Sequence, residues 1–245
     1  MRIGMGLGLG MGGRVRDGLA DLLTANLTEF WRADMGTDSA SAVGTWTGQK
    51  TGATMVQATA AKKPPVTAGT IGSRAGLVGN GAASGGATDG RRLDNTTIVF
   101  GTSFTVIVAA TWVNDGTVLV NTRLVDWQAG ANRLIGKYGT DTWKVYNGAF
   151  FGSTAASSGT PVILTYKQTN GVGGRLYING TSVGSNATSV VGTTGFSVLG
   201  ANAAGLEYHE GALGAVAVHA TSALSDADRQ VVEGIMGRYY KVAGY

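Results

Sequence analysis

From residue 104 onward the sequence is a series of short apolar segments separated by turn-forming residues. Residues 104–113 form a near-continuous apolar run with β-branched members, which predicts a strand covered on both faces. Further strand-like segments follow at residues 118–127, 133–138, 142–146, 162–167, 175–178, 196–199 and 213–219. Many short strands at this spacing predict an antiparallel sandwich or barrel. The 41 glycines among 245 residues fit the many tight turns of such a fold.

The segment from Gly174 to Gly184 predicts the clearest hairpin. Residues 175–178 alternate in the period of a half-buried strand, and residues 181–183 form the returning strand. Asn179 and Gly180 lie between them, and both residue types accept the positive φ that a type I′ turn requires.

One clear helix closes the chain. Ser225 is a suitable N-cap, and Asp226 and Asp228 follow in the first turn, where the helix dipole favours negative charge. Two rows of side chains at i, i+4 spacing predict a face that packs on the edge of the sandwich: Val231, Ile235 and Tyr239, and Val232, Met236 and Tyr240. Lys241 and Gly244 mark the end of this helix of about four turns.

The region before residue 104 gives weaker signals. Residues 15–27 have leucines at helical spacing and predict a short helix. Residues 30–100 read as irregular, with strand-like pieces only at residues 55–58 and 75–78.

The first thirteen residues are of low complexity. Gly8, Gly10 and Gly13 match a dinucleotide-binding fingerprint by letter, but no strand can precede them, so no nucleotide site is predicted. Four apolar residues alternate with glycine in this segment: Met5, Leu7, Leu9 and Met11. An extended arm with this pattern would present apolar groups on one side and bare backbone on the other, and we expect it to dock on a neighbouring subunit. The alternative is a leader without a role.

Composition excludes several classes of function. The net charge is only +4 and Lys and Arg are not clustered, so no nucleic-acid partner is expected. No apolar run approaches membrane-spanning length, so no membrane partner is expected either. There is no cysteine for a disulfide or a thiolate metal site, and no convincing signal peptide, which indicates synthesis in a reducing cytoplasm.

Catalytic and metal-binding patterns are sparse. Retaining glycosidases need two facing carboxylates about 5 Å apart, and no strand shows the alternating acidic residues that glycosidases of sandwich folds carry. The segment Glu207-Tyr-His-Glu210 is the nearest candidate for metal ligands or an acid–base pair, but His219 is the only other histidine, and a polar turn is the better interpretation. The chain is therefore predicted not to be an enzyme, and to have no metal or cofactor. Calcium alone is left open, through Asp94, Asp115 and Asp141, which are predicted to lie in turns.

Aromatic residues are the remaining candidates for contact with a ligand. Trp127, Tyr138, Trp143 and Tyr146 fall at strand ends or near loops. Exposed planar rings at such places could stack on sugars or contact a partner protein. The alternative is that these rings fill the core of the sandwich.

The order of motifs resembles concanavalin A-like, laminin-G-like jelly-roll domains of phage structural and bacterial surface proteins. The pieces that carry the resemblance are Phe30-Trp-Arg-Ala-Asp34, Val43-Gly-Thr-Trp46, Lys63-Pro-Pro-Val66, Leu77-Val-Gly-Asn-Gly81, the strand from Phe104, Leu176-Tyr-Ile-Asn-Gly180, and the helix start from Leu224 to Gly234. The resemblance implies an all-β jelly-roll sandwich of two antiparallel sheets with a C-terminal α-helix. The domain would span residues 28–245, after an N-terminal arm and short helix at residues 1–27.

The resemblance also implies a function. The first hypothesis is a non-enzymatic phage virion structural protein, a decoration, spike or fibre module on the capsid or tail, anchored by its N-terminal arm. It would be assembled in the host cytoplasm into the virion, as a homo-oligomer and with other virion proteins as partners. The second is a carbohydrate-binding adhesin or receptor-binding protein for host-surface glycans. A glycoside hydrolase is the third, and it would depend on Glu207 or Glu210.

Overall fold

The computed structural model describes residues 21–22, 25–80, 90–113, 121–126, 134–139, 141–188, 192–200 and 207–245. This part of the chain forms sixteen strands and one α-helix. The strands are β1 (Glu29–Arg32), β2 (Thr45–Thr47), β3 (Thr54–Val56), β4 (Val66–Ile71), β5 (Arg74–Val78), β6 (Leu93–Phe100), β7 (Phe104–Trp112), β8 (Asn121–Asp126), β9 (Leu134–Tyr138), β10 (Thr142–Tyr146), β11 (Phe150–Ala155), β12 (Val162–Thr169), β13 (Gly173–Ile178), β14 (Thr181–Asn186), β15 (Thr193–Val198) and β16 (Gly211–His219). The helix is α1 (Asp226–Tyr239).

The strands form two eight-stranded antiparallel sheets that pack face to face. Sheet A has the order β14-β13-β12-β7-β16-β5-β4, and β1 also pairs with β16. Sheet B has the order β11-β10-β9-β8-β15-β6-β3-β2. The core between the sheets contains large aromatic rings from both of them, among them Trp31, Trp46, Trp143, Phe100, Phe104 and Tyr166. The predicted jelly-roll sandwich is confirmed.

Strand β7 lies at the centre of sheet A and is buried along its whole length, as its sequence predicts. Val106 and Val108 point into the core between the sheets. Ile107 and Ala109 point the other way and belong to a second apolar cluster on the outer face of sheet A. The apolar run in the middle of this strand therefore reflects two separate apolar layers.

The β13–β14 hairpin also has the predicted geometry. Asn179 has a φ of 48° and Gly180 a φ of 81°, which are the two positive values of a type I′ turn. The turn is anchored to the neighbouring strand β12, because the Ile163 amide donates to Asn179 Oδ1 at 2.9 Å and the Asn179 amide donates to the Ile163 carbonyl at 2.9 Å.

Helix α1 begins where the sequence predicts, with Ser225 Oγ accepting a hydrogen bond from the Asp228 amide at 3.0 Å. The expectation that it packs on an edge of the sandwich is wrong, because it lies on the outer face of sheet A. That face is apolar, so water must be excluded from it. Val231 is 57% exposed and lies outside the packed surface, which is formed by Val232, Ile235, Met236, Tyr239 and Tyr240. None of the helices in the described residues has the length and hydropathy needed to span a bilayer.

Residues 30–100 are not irregular, since they contribute six strands to the two sheets. Strand β6 shows why the sequence hides them. Asn95 interrupts its apolar alternation, and the Asn95 side-chain oxygen accepts from the Thr97 and Ile98 amides at 3.1 and 2.8 Å. The side-chain amide donates to the Thr54 carbonyl of β3 at 2.8 Å. A side chain thus replaces part of the ladder, and the period of two is lost.

The N-terminal predictions fall mostly outside the described residues. Met5, Leu7, Leu9 and Met11 of the docking arm lie there, as does most of the short helix predicted at residues 15–27. Leu22 and Leu27 are described, and both are buried in the apolar cluster on the outer face of sheet A. The described end of this segment therefore packs on the sandwich domain.

Candidate functional site

The outer face of sheet B differs from that of sheet A, because α1 covers sheet A and no such cover lies on sheet B among the described residues. Strand β10 shows the alternation. Trp143 and Val145 point into the core, whereas Thr142, Lys144 and Tyr146 point outward and are partly exposed. The outward side chains of β10 are therefore available to a ligand.

Three rings form a continuous aromatic patch on this face: Tyr138, Tyr146 and Phe150. The Phe150 ring centroid lies 4.7 Å from that of Tyr138 and 4.8 Å from that of Tyr146. Tyr138 leans over Gly136, where a Cβ would clash with the Thr122 carbonyl and would lie 3.2 Å from Tyr138 Cε2. Phe150 is 54% exposed, so it presents a ring to solvent while it covers Tyr138.

Burial controls the chemistry of the Tyr138 hydroxyl. The ring is 5% exposed, and its Oη has no hydrogen-bond partner among the described residues. Burial raises the pKa of this phenol well above its usual range, and the negative charge of Glu207 adds to the effect. The hydroxyl therefore keeps its proton at neutral pH.

A charged group, the Arg123 cluster, borders the aromatic patch: it consists of Arg123, Asp126 and Glu207. Arg123 Nε donates to Glu207 Oε2 at 2.5 Å, and Arg123 Nη1 donates to Asp126 Oδ2 at 3.2 Å. Burial alone would lower the pKa of Arg123, but the hydrogen bond to Glu207 and the two negative charges raise it above its usual value. The guanidinium is thus permanently charged and held in one orientation.

Polar side chains continue across the face from this cluster. Ser197 of β15 lies opposite Asp126 of β8 on one side and opposite Asp94 of β6 on the other. Ser197 Oγ donates to Asp94 Oδ1 at 2.7 Å, and Arg92 Nε lies 3.2 Å from Asp94 Oδ2. Ser197 and Asp126 are buried, so this row orders the sheet beside the aromatic patch, and Glu207 is the more accessible acceptor next to it.

Two of the four predicted aromatic contacts, Tyr138 and Tyr146, lie together in the aromatic patch. Trp143 does not, because its ring is 1% exposed in the core and the alternative interpretation applies to it. Trp127 lies outside the described residues. Sequence reasoning missed Phe150, although its neighbour Gly148 marks the tight turn that brings Phe150 opposite Tyr146.

The segment from Glu207 to Glu210 is split between two surroundings. Glu207 joins the Arg123 cluster on sheet B, whereas Glu210 lines a cavity beside Thr70 and Val78 of sheet A. His209 is fully buried between them, with its Nε2 donating to the Thr111 carbonyl at 2.8 Å, and burial lowers its pKa to about 4. The segment is therefore a crossing between the sheets rather than a turn.

The calcium candidates are also dispersed. Asp94 lies within strand β6 rather than in a turn, and Asp141 pairs with Lys137 Nζ at 3.1 Å. Asp115 lies outside the described residues. Within the described ranges, no group of three or more His, Cys, Asp or Glu side chains is placed to hold a metal ion.

No protein-family model and no curated protein matches the sequence, but solved structures share its fold. Domain 4 of AbnA, a GH43 extracellular arabinanase from Geobacillus stearothermophilus in complex with arabinotriose, superposes with a TM-score of 0.58 at 14% identity. The match covers 86% of this chain and 98% of that domain.

Two larger proteins contain a similar sandwich. A Trypanosoma rangeli sialidase matches with a TM-score of 0.59 at 10% identity, over 89% of this chain and 33% of the sialidase. The binding domain of Paraclostridial Mosquitocidal Protein 1 matches with a TM-score of 0.56 at 13% identity, over 89% of this chain and 53% of that one. This chain thus spans about a third of the sialidase's length. At identities this low, the superpositions show a common fold and nothing further.

Proposed function

We propose that the protein is a non-catalytic carbohydrate-binding domain whose binding surface is the outer face of sheet B. The observation that carries the proposal is the exposed Phe150 ring, packed against Tyr146 and bordered by the Arg123 cluster, on a face that no helix of the described residues covers. Binding sites for small molecules combine apolar and aromatic lining with a few fixed polar groups in this way.

The chemistry of the face matches that of a sugar ring. A pyranose or furanose has a weakly apolar C–H face, which packs on an aromatic ring, and a rim of hydroxyls, which need donors and acceptors. Glu207 is 30% exposed and can accept from such a hydroxyl while Arg123 holds it in place. Because the ion pairs already fix these groups, little side-chain entropy is lost on binding.

The same contacts favour binding over catalysis. Asp126 and Glu207 both accept hydrogen bonds from one guanidinium, which satisfies them as anions. A glycosidase needs one carboxyl that carries a proton for the leaving group. We therefore expect that the protein does not hydrolyse the glycans it binds. Glu207→Gln and Glu210→Gln should then behave like the unchanged protein in a hydrolysis assay. Sustained polysaccharide cleavage that either variant abolished would contradict the proposal.

The structural relatives support a carbohydrate ligand by analogy. One of them, domain 4 of the arabinanase, was solved with arabinotriose, and its fold extends over most of this chain. Function on a shared fold depends on the site, so the aromatic patch and the Arg123 cluster carry more weight than the likeness.

A glycan array with purified protein tests the proposal. Phe150→Ala and Tyr146→Ala should each weaken binding of any glycan that the unchanged protein retains, by about tenfold. Val231→Ala is the matched control, because Val231 is a similarly exposed apolar residue on the opposite side of the molecule. If no glycan binds, or if all three variants bind equally well, the outer face of sheet B is not a carbohydrate site.

The biological setting stays a prediction from the sequence. A virion module on a phage capsid or tail would present this domain to host-surface glycans, with the N-terminal arm as its anchor. Immuno-electron microscopy of assembled particles tests this setting separately, and absence of the protein from particles would refute it. Removing residues 1–13 should then release the domain from particles without changing its melting temperature.

A further inference from the structure

Besides the cavity that Glu210 lines, sheet A has another cavity, which lies on the side of the molecule away from the aromatic patch. It is formed where strands β12, β13 and β14 meet the beginning of α1. Its volume is about 450 Å³, which is within the roughly 300–1,000 Å³ of typical ligand pockets. The polar and charged residues that line it are Lys167, Thr169, Arg175, Ser185, Asn186 and Asp226. It belongs to sheet A and shares no residue with the aromatic patch or the Arg123 cluster.

Two cations lie directly opposite each other in this cavity. Lys167 of β12 and Arg175 of β13 are cross-strand partners, a placement that destabilises a sheet when like charges are left uncompensated. Lys167 is compensated by Asp226, whose Oδ1 lies 2.9 Å from Lys167 Nζ. Arg175 is exposed and has no ion pair or side-chain hydrogen bond among the described residues. The cavity therefore has one positive charge in excess.

A third cation below the cavity does not change this balance. The Arg229 guanidinium lies 3.8 Å from the centroid of Tyr177, a ring that lines the cavity, and Arg229 Nη1 donates to the buried Glu233 at 2.5 Å. Its charge is thus matched within the protein, and Arg175 is the cation left for a ligand.

A hydroxyl flanks Arg175, because Ser185 of β14 is its cross-strand partner on the side away from Lys167. The next residue, Asn186, points to the opposite face of the sheet, where its side-chain amide exchanges hydrogen bonds with the buried Asn147. A guanidinium without an ion pair beside a hydroxyl suits a carboxylate that is attached to a hydroxyl-bearing ring.

We propose that this cavity binds an acidic saccharide, with the sugar carboxylate on Arg175 and a ring hydroxyl on Ser185. The proposal does not rest on the function assigned to sheet B. It gives the domain a second ligand site on the opposite sheet, selective for charge rather than for an apolar ring face.

Isothermal titration calorimetry with trigalacturonate as the probe tests the proposal, with maltotriose as the neutral probe of similar size. Arg175→Ala should weaken trigalacturonate binding at least tenfold. Arg238→Ala, which removes the same charge from an exposed position in the last turn of α1, should leave it unchanged. Phe150→Ala should also leave it unchanged, which separates this site from the one on sheet B.

Four results would overturn the proposal. The first is that the unchanged protein does not bind trigalacturonate. The second is that Arg175→Ala and Arg238→Ala weaken binding equally, which would indicate attraction by overall charge. The third is that inorganic phosphate displaces trigalacturonate at equal concentration, since the cavity would then bind any anion. The fourth is that maltotriose binds equally well, since the cavity would then not recognise the carboxylate.

Discussion

The two outer faces of this sandwich are built on the same kind of strand ladder but have opposite chemistry. The outer face of sheet A presents Ile107, Ile163 and Ala217, and these are fully buried under α1 and the segment that contains Leu22 and Leu27. The outer face of sheet B presents charged and aromatic side chains, including the Arg123 cluster and Phe150. Both sheets contribute apolar side chains to the core between them, so the difference lies only in the residues that point outward.

This difference shows how one fold separates stability from recognition. Covering an apolar face contributes about 25 cal/mol for each Å² removed from water, so the apolar side chains of the helix stabilise its packing in proportion to the area they bury. An exposed polar or aromatic side chain such as that of Phe150 buries little area and contributes less to stability. Residues on the outer face of sheet B can therefore be selected for a ligand, whereas the residues of sheet A that lie directly beneath α1 are constrained by the helix.

The largest effect is expected where a charge is buried beneath the helix. Glu233 is 1% exposed and accepts from Arg229 and from Thr165 Oγ1, the latter at 2.6 Å. Glu233→Ala leaves the Arg229 guanidinium buried without its partner, and we expect a loss of about 3–5 kcal/mol in the free energy of unfolding. Urea denaturation measures it.

Asp226 provides the control for that prediction, because it also contacts Arg229, at 3.6 Å, but is 63% exposed. Asp226→Ala should cost no more than about 1 kcal/mol. Equal losses for the two variants would mean that burial under the helix does not set the strength of these ion pairs, and the contrast between the two faces would lose its physical basis.

His209 lies between the sheets and tests whether the interior excludes charge. Its pKa is about 4 in the folded protein and 6.5 without burial. Between these values the unfolded chain binds more protons than the folded one, so the free energy of unfolding falls as pH is lowered from 6.5 to 4. Below pH 4 the contribution of His209 no longer changes with pH. The loss is on the order of 3 kcal/mol, since one pKa unit corresponds to about 1.4 kcal/mol.

Denaturation curves at several pH values measure how the free energy of unfolding changes with pH. His209→Gln should remove most of this dependence on pH. His219→Gln should remove less of it, because burial and Lys50 lower the pKa of His219 as well but this side chain is less completely buried. A slope that is unchanged in His209→Gln would show that other groups cause the acid sensitivity.

The sequence predicts the parts of the fold that depend on neighbours along the chain. The run at residues 104–113 is buried on both faces, Ser225 caps the helix, and Asn179 and Gly180 form the turn, because each of these features is decided within a few residues. Strand β1 could not be predicted in this way. It begins with Glu29, a charged residue that is fully buried because the amides of Lys50, Thr51 and Ala53 donate to its carboxylate.

The candidate site is harder to predict for the same reason. Arg123 and Glu207 are 84 residues apart and meet only because β8 and the crossing segment after β15 lie side by side. Periodicity places Tyr138 and Tyr146 on strands, but it does not say which of the two sheets has a covered outer face. That depends on where α1 packs, and the sequence indicates an apolar helix face without indicating its partner.

Gly180 lies in the β13–β14 turn at the edge of sheet A, and its substitution tests the conformation of that turn. Its φ of 81° is strained for a β-branched residue, and a Cβ there would lie 3.3 Å from Tyr245 Oη. Gly180→Val should therefore cost about 1–3 kcal/mol. Gly180→Asn is the control, because asparagine tolerates positive φ, and it should cost clearly less. Equal melting temperatures for Gly180→Val and the unchanged protein would show that the turn adopts another conformation in solution.

The smallest effect on stability is expected at Phe150, where the effect on binding should be largest. Phe150 is 54% exposed, and substitutions at such positions usually change the free energy of unfolding by no more than about 0.5 kcal/mol. Phe150 also covers Tyr138, and burial is the main cause of the raised pKa of that phenol. Phe150→Ala should therefore move the alkaline titration of one tyrosine, followed by ultraviolet absorbance, toward the usual pKa of about 10, while the melting temperature stays nearly constant. Val231→Ala should move neither quantity. If Phe150→Ala lowers stability by as much as Glu233→Ala, then Phe150 is part of the packing that holds sheet B together. The outer face of sheet B would then be a structural surface like that of sheet A, and the assignment of one face to stability and the other to recognition would fail.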